Sequence, residues 1–136
     1  MGLVHQRQEK AVPLEAFVDA AFADNPGMRS TAGWVFLIGG AVTAYDSCTI
    51  KRVVTSSTEA ECSALTVVGK ENSWQRQMYM DIMGLSELAP TLIHGDNTAS
   101  ISLSSSGVTK RSRHFAIEWF KFKDLLEAES ILGMHR

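Results

Sequence analysis

Between residues 14 and 22 apolar and polar positions alternate: Leu14, Ala16 and Val18 fall on one side, Phe17, Asp19 and Ala21 on the other. That period of two predicts a strand with Asp19 inside it. Asn25-Pro26-Gly27 supplies turn residues, and 31–38 is a second strand rich in β-formers that stops at Gly39-Gly40. A hairpin partner follows over 41–45 and 49–54, with a break expected around Asp46-Ser47, giving three antiparallel strands before any helix. Ser56-Ser57-Thr58-Glu59 then has capping-box spacing, a hydroxyl three residues ahead of a carboxylate, and opens a helix through about Gly69. A second helical pattern over 71–83 carries Trp74, Met78 and Ile82 at four-residue spacing and ends at Gly84, a left-handed cap. A short apolar strand is expected at 91–94, helices at 98–104 and 112–128, and a last strand at 130–134. The order predicts an α/β fold, a mixed sheet antiparallel in its early strands and parallel in its later ones, flanked by helices.

Composition changes this picture little. The 136 residues are 45% hydrophobic and 21% charged, which suits one folded domain and excludes a disordered tail or fibrous repeat. No apolar run approaches the ~20 residues of a membrane span, and the opening residues lack a secretory apolar stretch, so an intracellular chain with no membrane partner is expected. Cys48 and Cys62 form no CxxC pair, which supports neither a disulfide framework nor a zinc site. A net charge of −2 requires any polyanion site to be a local patch. Trp34, Trp74 and Trp119 sit at apolar-face positions and are expected in the core.

Three carboxylates stand out against this background. Asp19, in mid-strand, is either a turn-bonded strand-end residue or a metal ligand, because a charge there is costly without a partner. Glu61 shares a helical stripe with Ala64, Leu65 and Val68 that must face the sheet, whereas Glu59 sits where a capping-box carboxylate belongs and is left out of the site. Asp96 follows an apolar strand and precedes a helix, so it either caps that helix or occupies the crevice at the carboxyl end of a parallel strand. Oxygen ligands from three such places suit hard cations.

At these residues the chain resembles the ribonuclease H domain of copia-type LTR retrotransposon polyproteins. The resemblance rests on Val18-Asp19-Ala20-Ala21-Phe22, Arg29-Ser30-Thr31-Ala32-Gly33-Trp34-Val35-Phe36, Ser56-Ser57-Thr58-Glu59-Ala60-Glu61-Cys62 and Gly95-Asp96-Asn97, in that order and spacing. It implies a ribonuclease H-like mixed five-stranded sheet, one domain over residues 1–136, and a fragment of a pol polyprotein lacking the segment after the last strand. Asp19, Glu61 and Asp96 take the places of the family's first three catalytic and metal-binding carboxylates. The chain departs from the pattern at Ala21, where the family has Asp, and at Arg113-His114-Phe115-Ala116, where it has Lys-His-Ile-Asp. The family's fourth carboxylate, after the last strand, is not among these residues.

The resemblance implies metal-dependent hydrolysis of the RNA strand of an RNA–DNA hybrid during reverse transcription. Two Mg²⁺, or Mn²⁺, about 3.5–4 Å apart would be held by Asp19 between them and by Glu61 and Asp96 singly. Expected substrate contacts are Arg29, Asn97, Lys110, Arg111, Arg113 and His114, and the cationic run from Lys110 to Lys123 reads either as a phosphate patch or as a solvated helix face. The implied partners are the hybrid and the reverse transcriptase domain of the same polyprotein, in the cytoplasm (a virus-like particle) or nucleus. The competing expectations are a catalytically silent ribonuclease H-like module that binds nucleic acid or protein, and an integrase-type strand transferase.

Overall fold

The computed structural model describes residues 12–95 and the backbone of 134–135. Three antiparallel strands come first: β1 (Leu14–Asn25), β2 (Arg29–Ile38) and β3 (Ala41–Thr49). Helix α1 (Ser57–Met83) follows, then β4 (Leu92–His94) and β5 (Met134–His135). The sheet order is β3-β2-β1-β4-β5, with β4 parallel to β1 and β5 parallel to β4, so β1 lies at its centre. The mixed five-stranded sheet with an antiparallel opening is the one the residue pattern predicts. The helices expected at 98–104 and 112–128 lie outside the described residues, as does most of the strand expected at 130–134.

Turn chemistry sets the hairpins. Gly39 and Gly40 both take positive φ, 58° and 78°, which closes β2 onto β3 in a two-residue turn with Ile38 opposite Ala41. β1 runs to Asn25, three residues past its expected end, through a register shift between Ala21 and Asn25. The backbone N–H of Ala23, in that irregular stretch, donates to the buried Ser30 hydroxyl at 3.0 Å and so is satisfied off the ladder. β3 shows no break at Asp46-Ser47: both residues are exposed on an edge strand, where polar side chains cost nothing. Strand pairing ends at Thr49, and Ile50 and Val54 reach the core from irregular chain instead.

Alternation on β1 is realised as predicted: Leu14, Ala16 and Val18 are buried, and Glu15, Phe17 and Asp19 are exposed. α1 covers the first set together with Ala32 and Phe36 of β2, and its Ala60, Ala64, Leu65 and Val68 complete the core. Phe36, with no exposed surface, contributes on the order of 3 kcal/mol by burial alone.

Two helices are expected across 56–83, and one is found. A lone interior glycine such as Gly69 costs only about 1 kcal/mol, and no residue between 57 and 83 takes the positive φ that would end a helix. One helix carries one phase, so the face set by Leu65 and Val68 continues into buried Asn72, Gln75 and Tyr79. Trp74 and Ile82 consequently point outward, 57% and 73% exposed, which corrects the expectation that Trp74 is core. Trp34 does pack against the core, edge-on to Phe36 at 5.5 Å, while Trp119 lies outside the described residues.

Both ends of α1 follow the sequence signals. Ser56 accepts a hydrogen bond from the Glu59 N–H at 3.2 Å. The Glu59 carboxylate reaches one residue further back than a capping box requires, accepting from the Thr55 N–H at 2.6 Å and the Thr55 hydroxyl at 3.0 Å, and it pairs with Arg52 at 3.1 Å. Gly84 closes the other end at φ 64°, with the Leu85 N–H donating to the Met80 carbonyl at 2.9 Å.

Candidate functional site

Asp19 stands on the central strand, on the alternation set that α1 leaves uncovered. Its cross-strand partner is Gly33, and a side chain at that position would meet nothing within 4 Å. The carboxylate therefore looks onto open space. Its Oδ1 accepts from the Ala20 N–H at 2.8 Å, and no ion pair to it is found among the described residues. This is a solvated carboxylate in mid-sheet rather than a strand-end turn residue.

A cleft of about 580 Å³ opens over this position, lined by Phe17, Asp19, Gly33, Val35, His94 and Gly95 among others. The parallel pairing of β4 with β1 builds one wall, because it sets His94 directly opposite Phe17. The two rings stack, centroids 4.3 Å apart and planes 10° from parallel. His94 Nε2 lies 3.6 Å from Glu15 Oε2, within ion-pair reach of a protonated ring but too long for a hydrogen bond, and it is shielded from solvent. β4 ends at His94, and at Gly95 an added Cβ would sit 3.6 Å from Val18 Cγ1. Gly95, which precedes Asp96 in the sequence, and Asp19, in the middle of β1, thus border one cleft beside the carboxyl end of the parallel strand β4, the kind of place where open α/β sheets bind ligands.

Glu61 lies in the second turn of α1 and is 6% exposed, on the sheet-facing stripe with Ala64, Leu65 and Val68. The stripe is as predicted, but the helical separation of Glu61 from Glu59 is less sharp than the pattern implied. Cys62, Ser63, Thr66 and Glu59 itself are also buried, so the start of α1 is enclosed all round. What distinguishes Glu59 is its use: it holds Thr55 and Arg52, and Arg52 in turn donates to the Ser63 hydroxyl at 3.2 Å.

Arg29 opens β2 beside the Pro26–Met28 turn, exposed, and does not line the cleft. Asp96, Asn97, Lys110, Arg111, Arg113 and His114 lie outside the described residues. Among the described residues no group of three or more His, Cys, Asp or Glu side chains is placed to hold a metal ion. Cys48 and Cys62 form no disulfide, the first half-buried and the second buried. Sequence reasoning does not single out Phe17, Gly33 or His94 as functional. Their signal is the β1–β4 register, which a strand as short as Leu92–His94 does not reveal by itself.

The chain is similar to known proteins in sequence and in fold. The chain is 28% identical over 120 residues to the retrovirus-related Pol polyprotein from transposon TNT 1-94 of Nicotiana tabacum, which covers 87% of this chain. It is 26% identical over 131 residues, 95% of the chain, to that from transposon RE1 of Arabidopsis thaliana. The chain spans 9% of the length of these curated relatives. No protein-family model matches it.

Among solved structures, RNase H1 from Halobacterium salinarum matches 91% of this chain and 84% of its own at 18% identity, with a TM-score of 0.65. LC11-RNase H1 in complex with an RNA/DNA hybrid matches 90% and 83% at 16% identity, with a TM-score of 0.68. A foamy viral protease-reverse transcriptase in complex with an RNA/DNA hybrid matches 97% of this chain and 19% of its own at 15% identity, with a TM-score of 0.60. The fold is that of ribonuclease H. The resemblance to copia-type transposon Pol polyproteins extends over nearly the whole chain.

Proposed function

We propose that this chain, with the ribonuclease H fold and a sequence like that of transposon Pol polyproteins, is a metal-dependent endonuclease that hydrolyses the RNA strand of RNA–DNA hybrids during reverse transcription. One observation carries the reading: an exposed carboxylate, Asp19, stands at the centre of the sheet in a cleft that Gly95 also borders. The structure related to this one at a TM-score of 0.68 is in complex with an RNA/DNA hybrid, which supports the substrate class.

Asp19 suits Mg²⁺ or Mn²⁺ in kind, since it offers carboxylate oxygens to the solvent with no competing cation among the described residues and hard cations prefer oxygen, whereas Glu61, buried on α1, does not line the cleft. Asp19, Glu61 and Asp96 are the residues that would hold them. Bound there, the cations supply an activated water and neutralise charge on the leaving oxygen. The protein's part is to fix the donors. β1 holds Asp19 by antiparallel pairing with Gly33 of β2, two residues past the end of its pairing with β4, and the capped, enclosed start of α1 fixes the backbone of Glu61. Gly33 leaves room above Asp19 for a phosphodiester. Recognition of the hybrid falls to its shape and 2′-hydroxyls rather than its base edges, with Arg29, Asn97, Lys110, Arg111, Arg113 and His114 as contacts and sequence preference correspondingly weak. In the longer polyprotein the neighbouring partner is the reverse transcriptase part.

The test is cleavage of a labelled RNA–DNA hybrid in Mg²⁺ or Mn²⁺ by the wild-type chain and by Asp19→Asn. The wild type is expected to cut, and the variant to lose about 100-fold or more in rate, with unfolding unchanged within about 0.5 kcal/mol because the side chain is exposed. A wild type silent in both metals transfers the assignment to a catalytically silent module that binds nucleic acid or a protein partner, the reading that Ala116 favours.

A further inference from the structure

β4 is short, and much of what holds it lies outside the sheet. Its ladder with β1 is three pairs long: Glu15 with Leu92, Ala16 with Ile93 and Phe17 with His94. Ile93, with no exposed surface, settles which face of β4 turns to the core, since a shift by one residue would reverse it. Arg76 of α1 grips the chain just before the strand begins. Its guanidinium donates to the Leu88 carbonyl at 2.9 Å, to the Ala89 carbonyl at 2.7 Å and to the hydroxyl of fully buried Thr91 at 3.2 Å. No carboxylate pairs with Arg76 among the described residues, so its fork serves this segment alone.

We propose that Arg76 is a positioning residue: by holding Thr91 and the two carbonyls ahead of it, it sets β4 against β1, and with it Gly95, the residue before Asp96, beside Asp19. The inference rests on the metal-dependent nuclease reading above and adds to it a residue of the helix that covers the opposite face of the sheet. A ladder of three parallel pairs is weak, because parallel pairing is slightly less stable per residue than antiparallel. A planar guanidinium meeting three acceptors in fixed directions supplies the orientation that such a ladder lacks. The lever is also short. Only Leu92–His94 separates Thr91 from Gly95, and a strand is stiff over that length, about 3.3 Å per residue, so a displacement at Thr91 is passed on to the cleft. Charge by itself predicts the opposite sign: removing a cation from α1 would favour a metal ion in the cleft, whereas loss of position weakens its binding.

Mn²⁺ titration, followed by paramagnetic broadening of the Asp19 and Gly95 backbone amide signals, tests this without substrate. In the wild type the two signals are expected to broaden together. Arg76→Met keeps the apolar stem and removes the donors, and the Mn²⁺ concentration for half-broadening at Gly95 is expected to rise about tenfold, the scale on which outer partners of metal sites act. Thr91→Val removes one acceptor, leaves both carbonyls, and is expected to raise it about twofold. Tyr79→Phe cuts another tie of α1, the bond accepted from the Val12 N–H, and is expected to leave it unchanged. Exchange of the β4 amides is expected to quicken about tenfold in Arg76→Met while the β1–β2 ladder keeps its rate. An unchanged or lower Mn²⁺ requirement in Arg76→Met overturns the proposal. So does an equal rise in Tyr79→Phe, or exchange quickened alike in β1, β2 and β4, the mark of a merely structural role. Should Arg76→Met fail to fold, Thr91→Val decides, and no rise there overturns it. A wild type that gathers Mn²⁺ at both amides yet leaves the hybrid uncut removes the nuclease reading and leaves this inference standing, whereas one whose signals ignore Mn²⁺ overturns both.

Discussion

The two faces of the central strand are made from alternate residues of one short stretch and do opposite work. On the covered face Leu14, Ala16 and Val18 meet Phe36 and α1 with almost no exposed surface. One residue along each time, Glu15, Phe17 and Asp19 meet Gly33, Val35 and His94 around a cleft. Stability is concentrated on the first face and chemistry on the second, and the strand's period of two keeps them apart. A carboxylate can be held rigidly in mid-sheet without burial because the cost of ordering the strand is met from behind it.

This division can be broken or sharpened by substitution. Phe36→Ala attacks the covered face and is expected to cost about 3–5 kcal/mol in urea unfolding, the largest of these losses, and to lower the thermal midpoint accordingly. A loss below about 1 kcal/mol would show that the covered face does not carry the fold. His94→Ala, on the open face, removes the stack on Phe17 and is expected to cost about 1 kcal/mol, while slowing hybrid cleavage more than it lowers stability, since it frees the strand end leading to Gly95. Tyr45→Ser, 75% exposed on the edge strand, is expected to change stability by no more than about 0.5 kcal/mol. A larger cost would mean that the open face is covered in solution.

Much of this arrangement is written locally. The alternation around Asp19, the Gly39-Gly40 turn, the Ser56 cap, the stripe bearing Glu61 and the Gly84 terminus depend on residues within a few positions of one another, so the pattern reveals them. The second half of α1 misleads for the same reason. Trp74, Met78 and Ile82 have the spacing of a buried stripe, but periodicity reports only that a face is apolar, not which way it turns. Direction is decided by phase inherited through Gly69 and by Arg76 gripping Leu88, Ala89 and Thr91.

By itself, then, the amino-acid order determined the three opening strands, the turn between β2 and β3, the two ends of α1 and the places of Asp19 and Glu61 on strand and helix, because hydrogen bonding and burial repeat with short periods. Tertiary structure alone decided that β4 lies beside β1 with His94 against Phe17, that Gly33 leaves space before Asp19, and that α1 turns its tryptophan outward. Those outcomes join positions tens of residues apart, and their energies come from packing between elements, which no local period encodes.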